Sequence, residues 1–218
     1  QCIDCLIMNC TISTTDDIAG GIIGKATLAN IERNRVINTT VHGEDEYAGA
    51  LLGVDKSVGF SNDSYSKQAQ IDCNDNLVLN CSVSGDDIVG GAIGTLGTDY
   101  SSSGYQFYTI KNNMIHATVD GNTDKKAAVV YGISTNKELH VSNNYYDTEL
   151  CTLAPVKLLE YTAAGKTIAE GKTAADMRSF DMGSDSRFKK MENLWPQLQS
   201  DYASGKVITT ATELAALA

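Results

Sequence analysis

Val78-Leu79-Asn80-Cys81-Ser82-Val83 has relatives elsewhere in the chain: Ile7-Met8-Asn9-Cys10-Thr11-Ile12, Val36-Ile37-Asn38-Thr39-Thr40-Val41 and Met114-Ile115-His116-Ala117-Thr118-Val119. A fifth, less complete copy is Val141-Ser142-Asn143-Asn144-Tyr145-Tyr146. Some ten or eleven residues beyond each central polar position comes a second element, Gly20-Gly21-Ile22-Ile23-Gly24, then Gly49-Ala50-Leu51-Leu52-Gly53, then Gly90-Gly91-Ala92-Ile93-Gly94. Ala127-Ala128-Val129-Val130 stands in the fourth place. The two elements keep their mutual distance while the stretches between copies vary, which is the behaviour of a fixed unit with loops emerging elsewhere.

Each copy is a pair of short strands with apolar alternation, too small to bury its own face, so it must stack on its neighbours. This predicts an all-β, right-handed β-solenoid of about four to five coils over residues 1–150. Stacking aligns like residues in columns about 4.8 Å apart. Asn9, Asn38, Asn80 and Asn143 are expected to form one such column, interrupted by His116, with amide-to-amide bonds worth roughly 0.5 to 1.5 kcal/mol each. The paired glycines allow close backbone approach or positive φ.

The opening Cys2-x-x-Cys5 could belong to a metal knuckle or redox pair, but either needs partners elsewhere in the chain. Repetition supplies another reading. Ile3-Asp4-Cys5 recurs as Ile71-Asp72-Cys73, and Asn9-Cys10 as Asn80-Cys81, whereas Cys2 and Cys151 have no column equivalents. Six cysteines allow fifteen full pairings that sequence cannot choose among. Cys10 and Cys81 are expected two coils apart, about 9.6 Å by strand spacing and beyond the roughly 7 Å limit for a disulfide.

Bulk composition agrees with many strands joined by turns: 42% hydrophobic residues, 19 glycines and two prolines. A net charge of −10 with no basic cluster argues against a nucleic-acid or anionic-membrane partner. No apolar run approaches the roughly 20 residues that span a bilayer. The first residue is Gln1, so the chain is read as a processed product or a piece of something longer.

These residues resemble the GLUG-motif repeats of bacterial surface proteins, in which a unit similar to "NCTIS" and "NCSVSG" precedes a glycine element similar to GGIIG, GALLG and GGAIG. A closing segment of that family is similar to Asn144-Tyr145-Tyr146-Asp147, Thr173-Ala174-Ala175-Asp176-Met177, Phe180 and Leu194-Trp195-Pro196-Gln197-Leu198. The resemblance covers roughly residues 1 to 200. The fourth copy departs from it by lacking the glycines and carrying His116. Residues 151–200 then read as a C-terminal cap of mixed structure. Residues 201–218 read as a linker and the start of a next module, with Thr212-Glu213-Leu214 as a helix start.

The resemblance implies an extracellular, cell-surface role: a non-enzymatic stalk, filament unit or adhesive module. Similar repeats occur in adhesin-like proteins and in the non-catalytic region of immunoglobulin A-specific metallopeptidases. The implied partners are neighbouring copies or modules of the same surface protein, and a host or matrix glycan or protein. One expected contact is between residues 208–218 and the first coil of a neighbouring copy, whose strand edge is unpaired.

Other candidate sites are few. Asp16-Asp17, Asp86-Asp87 and Glu44-Asp45-Glu46 occupy matching turns and offer oxygen ligands of the kind calcium takes; without a known loop spacing they are read as solvated turns. Tyr100, Tyr105, Phe107 and Tyr108 could stack on sugars from an exposed flank, and equally suit a strand with one buried face. Asn9, Asn38, Asn62 and Asn80 each begin Asn-x-Ser/Thr, which the repeat pattern explains better than glycosylation. His42, His116 and His140 form no metal-ligand pattern, and no nucleophile elbow or phosphate loop is present. No catalytic residue, cofactor or metal is therefore assigned. A carbohydrate-binding module is the first alternative reading, and a polysaccharide-processing enzyme the second.

Overall fold

The structure is a computed structural model that describes residues 1–55, 68–96, 105–121, 124–133, 138–154, 169–178, 180–191 and 194–198. Within them the chain is built from short parallel strands. A first repeat carries β1 (Cys2–Ile3), β2 (Leu6–Met8), β3 (Thr11–Thr14), β4 (Ile18–Gly20) and β5 (Ile23–Ala26). The second carries β6 (Leu28–Glu32), β7 (Arg35–Ile37), β8 (Thr40–Gly43), β9 (Tyr47–Gly49) and β10 (Leu52–Asp55). The third has β11 (Gln68–Asn74), β12 (Leu77–Gly85), β13 (Ile88–Gly90) and β14 (Ile93–Leu96); the fourth has β15 (Tyr105–Lys111), β16 (Met114–Gly121), β17 (Lys126–Ala127) and β18 (Val130–Ile133). After β19 (Glu138–Ser142) and β20 (Tyr145–Asp147) come β21 (Glu170–Lys172), the short helix α1 (Ala174–Met177) and a hairpin of β22 (Phe188–Met191) and β23 (Leu194–Leu198).

Equivalent strands of successive repeats pair in parallel, giving a five-stranded sheet ordered β1-β6-β11-β15-β19 and an eight-stranded sheet on the path β2-β7-β12-β16-β20-β21. Two four-stranded sheets, β4-β9-β13-β17 and β5-β10-β14-β18, complete the stack. Repetition in sequence thus becomes repetition in register: Ile7, Val36, Val78 and Ile115 share one column, and Ile12, Val41, Val83 and Val119 another. The columns point into one apolar core in which Val36, Val41, Leu51, Leu52, Ile71, Val78 and Val83 are fully buried.

The paired glycines of the repeats sit where backbones nearly touch, and close approach, not positive φ, is what they provide. A Cβ at Gly20, Gly49 or Gly90 would overlap the carbonyl of Ile23, Leu52 or Ile93 respectively. The left-handed conformation belongs instead to two columns of turn residues: Asp4, Arg33, Asp75, Asn112 and Asn143 in one, Asn9, Asn38 and Asn80 in the other, with φ of 51–59°. Asn and Asp tolerate that region better than most residues.

Several expected alignments are corrected. Asn143 does not continue the Asn9 column; it donates to Oδ1 of Asn112 at 3.2 Å, in the first turn column. His116 pairs in register with Leu79, not Asn80, because Asn80 is an extra residue that the fourth repeat lacks, and the ladder slips between Leu79 and Cys81. Cys2, not Cys5, shares a column with Cys73, through Ile31. Cys5 instead begins a buried ladder that the repeated hexads do not reveal. All six cysteines are free, so Cys10 and Cys81 are unbonded as expected.

That ladder is Cys5, Asn34, Asn76, Asn113 and Asn144, one residue past the first turn column. The backbone N–H of each of the first four donates to Oδ1 of the following Asn at 2.9–3.1 Å. The amides of Asn34, Asn76 and Asn113 also donate to that oxygen in the next residue, at 2.9–3.1 Å. Each Asn amide bonds back to a carbonyl of the preceding repeat, at Cys2, Ile31, Cys73 and Ile110, at 2.7–2.9 Å. The four asparagines are at most 2% exposed. A buried polar chain is tolerable only when fully satisfied, and this one is.

The closing segment takes a lateral position that an end cap does not anticipate. Met177, Met182, Phe188 and Trp195 bury the outward-facing Ile37, Leu77, Leu79, Met114 and Tyr145 of the eight-stranded sheet. Polar joints fix it there: Arg187 N–H and Ser186 Oγ reach Asp75 Oδ1 at 3.0 and 3.5 Å, and Asn112 donates to the Asp185 carbonyl at 3.2 Å. At the end of the stack itself, Cys151 and Ala169 enter the main core and Ala154 accepts from Ala128 N–H. The proposed module start at residues 201–218 lies outside the described residues.

Candidate functional site

Where the closing segment does not reach, the eight-stranded sheet presents polar columns to solvent. Alternation along β3, β8, β12 and β16 turns Ile12, Val41 and Val83 inward, so Thr11, Thr40, Ser82 and Thr118 line up outside, in register. Beside them runs the exposed asparagine column, in which Asn38 donates to Asn9 Oδ1 at 3.1 Å and Asn80 to Asn38 Oδ1 at 2.5 Å. Asn38, Thr39, Thr40, Asn80, Cys81, Ser82, Thr118 and the apolar Leu150 line a shallow groove of about 270 Å³. Its lining mixes amides and hydroxyls with the Cys81 thiol and the apolar Leu150 and carries no formal charge, which is chemistry for a neutral ligand with both hydroxyl and apolar faces.

The acidic turns divide into two situations. Asp16, Asp17 and Asp45, all exposed, each place one oxygen within 4.8 Å of the others. The charge of Asp16 pushes the Asp17 carboxyl above its ordinary range. Asp87 is instead paired with Lys125 at 2.6 Å. Exposure of every carboxylate in the first group keeps the reading of a solvated turn.

His116 has the residue types of an acid–base pair but not the setting. Its Nδ1 accepts the backbone N–H of Asn80 at 3.1 Å, so the neutral ring carries its proton on Nε2, 3.3 Å from Asp147 Oδ2. That approach lacks hydrogen-bond alignment, since Oδ2 has no bonded partner. Asp147 Oδ1 accepts from Glu149 N–H at 2.7 Å. Trp195 meets the ring edge-on at 4.8 Å, and His116 and Asp147 are 6% and 1% exposed. Burial lowers the His116 pKa, against the opposing pull of Asp147. Among the described residues, these contacts join the stack to the closing segment through Trp195. Sequence reasoning missed them because Asp147 and Trp195 lie far along the chain from His116.

The aromatic flank is only partly seen. Tyr108 is fully buried in the core, and Phe107 is half-buried beside the His140 ring at 5.1 Å. Tyr100 and the Tyr105 side chain lie outside the described residues, as does Asn62. A sugar-stacking platform therefore cannot include Tyr108. No helix among the described residues is long and apolar enough to cross a membrane. No family model, curated protein or solved structure matches the chain.

Proposed function

We propose that the chain is a right-handed β-solenoid module that serves a non-enzymatic, extracellular role in a bacterial surface protein, as a spacer or adhesive face. The supporting observation is the Thr11-Thr40-Ser82-Thr118 column beside Asn9-Asn38-Asn80. Parallel stacking repeats one neutral polar pattern along a sheet whose backbone groups are already used between strands, so side chains alone are offered to a partner. The resemblance of its repeats and closing segment to GLUG-motif surface proteins points the same way. A second reading, a carbohydrate-binding module, is favoured by the uncharged groove around Asn80 and Thr118.

Protease shaving of intact source cells, followed by immunodetection of this chain, tests surface display. Loss of signal on shaving is expected; a signal removed only after lysis overturns it. Chain-coated beads should adhere to matrix or host-cell glycoproteins without releasing product from any polysaccharide. Saccharide binding on an array that is weakened by Thr118→Ala would move the assignment to the second reading.

A further inference from the structure

The exposed asparagine column breaks off within the stack, and the groove lies at the break. Asn38 donates to Asn9 Oδ1 and Asn80 to Asn38 Oδ1, so each of these side-chain oxygens is answered by the repeat that follows it. The fourth repeat has no residue at that level. Leu79 pairs with His116 and Cys81 with Ala117, which leaves Asn80 without a counterpart.

The His116 ring makes good the backbone part of this loss. Its Nδ1 accepts the Asn80 N–H, whereas the matching N–H groups of Asn9 and Asn38 donate to the Ile37 and Leu79 carbonyls. The side-chain part stays open: among the described residues no donor meets Asn80 Oδ1, and Asn80 is exposed.

The walls of the groove say what fits beside that oxygen. Ser82 and Thr118 bring hydroxyls that have no hydrogen-bond partner among the described residues. Leu150, 37% exposed, brings an apolar side. The missing piece is thus a group one strand spacing of about 4.8 Å beyond the Asn80 amide. It has an N–H to donate, an oxygen to accept and a small apolar end. A sugar hydroxyl supplies the first two kinds of contact but no apolar end, and a charged group finds no counter-charge in the lining. An acetamido group supplies all three. Its size also suits a groove of about 270 Å³, just under the roughly 300 to 1,000 Å³ of most small-molecule sites.

We propose that the groove binds the acetamido group of a neutral N-acetylhexosamine residue in a glycan, in the place of the asparagine that the fourth repeat lacks. The inference rests on the carbohydrate-binding reading and names its ligand class. The ligand's amide N–H donates to Asn80 Oδ1, its carbonyl accepts from the Ser82 or Thr118 hydroxyl, and its methyl covers Leu150. So few contacts predict binding at around 1 mM, with adhesion strengthened where several chains engage one surface.

Saturation-transfer NMR of the full chain with N,N′-diacetylchitobiose tests it, against cellobiose, which has hydroxyls where the other has acetamido groups. The acetyl methyl should receive the strongest saturation, and diacetylchitobiose should bind about tenfold or more tighter than cellobiose. Asn80→Gly removes the amide while tolerating the φ of 52°, and Thr118→Val removes a hydroxyl from an exposed strand position. Each should weaken binding about fivefold or more, Thr118→Val serving alone should Asn80→Gly fold poorly. Insertion of an asparagine between His116 and Ala117 refills the level and should abolish binding. N-acetyllactosamine and a peptidoglycan disaccharide separate a host glycan from a bacterial wall as the source, and binding of either upholds the proposal. Cellobiose binding as tightly as diacetylchitobiose, or diacetylchitobiose binding that neither substitution weakens, overturns it while leaving the carbohydrate reading in place. No binding of any acetamido sugar up to about 10 mM overturns it too, and the saccharide array then decides the wider reading separately.

Discussion

The side-chain amide of Asn76 donates to Asn113 Oδ1 at 2.9 Å, and neither residue has any solvent exposure. Asn76 also receives the Asn34 backbone and side-chain N–H groups at 2.9 and 3.1 Å and donates to the Ile31 carbonyl at 2.8 Å. Asn76→Ala strands several buried groups at once. With about 1 to 3 kcal/mol for each buried group left unpaired, the expected loss is roughly 3 kcal/mol or more, read by urea denaturation.

The exposed column should behave differently. Asn38 bonds to its neighbours in water and holds φ at 51°. Asn38→Ala is expected to cost about 1 to 2 kcal/mol, part of it from forcing alanine into the left-handed region, and Asn38→Gly measurably less. Equal losses for the two would mean that the hydrogen bonds dominate.

Glycine positions offer a sharper contrast. Gly90→Ala drives a Cβ into the Ile93 carbonyl, a backbone atom that cannot swing away, whereas the Cβ of Gly24→Ala meets the Ile18 carbonyl at an ordinary 3.6 Å. Gly90→Ala is expected to lose several kcal/mol or fail to fold, with Gly24→Ala changing stability by under about 1 kcal/mol. Thermal melts of the two variants decide the matter.

Acid should loosen the joint at His116. Burial depresses its folded pKa below the ordinary 6.5, so protonation favours the unfolded or undocked chain. The stability it contributes is complete above about pH 6.5 and declines as pH falls from there towards the depressed value. Trp195 is the single tryptophan and touches the imidazole, so its fluorescence should report the change directly. His116→Gln should flatten that part of the pH profile; an unaltered profile would place the titrating group elsewhere.

Thiol reactivity should rank by position. Burial pushes the Cys73 thiol up to about 12 and the Cys81 thiol up to about 11, while Cys10 is exposed. At pH 8, mass-mapped alkylation should mark Cys10 first and reach Cys73 and Cys81 only under denaturant.

Much of this arrangement was legible because parallel stacking places like residues over like, so periodicity in the chain reports periodicity in space. The hexads containing Asn9, Asn38 and Asn80 do fall in register. Misalignment began where the fourth repeat drops one residue, since matching by residue type put His116 over Asn80. A better guide was present: Asn34, Asn76, Asn113 and Asn144 each stand two residues before the inward Val36, Val78, Ile115 and Tyr146. Aligning on that spacing places Asn143 correctly. The run of apolar residues on both faces at Leu77-Val78-Leu79 likewise signalled a strand covered on both sides.

By itself the sequence determined the repeat, the inward apolar columns and the polar columns opposite them, because strand alternation and stacking are local rules applied again and again. Only the tertiary structure decided which asparagines are buried, which flank the closing segment covers, and that His116 meets Asp147 and Trp195. Those outcomes depend on contacts between residues dozens of positions apart, whose partners are chosen by packing and by the need to satisfy every buried polar group.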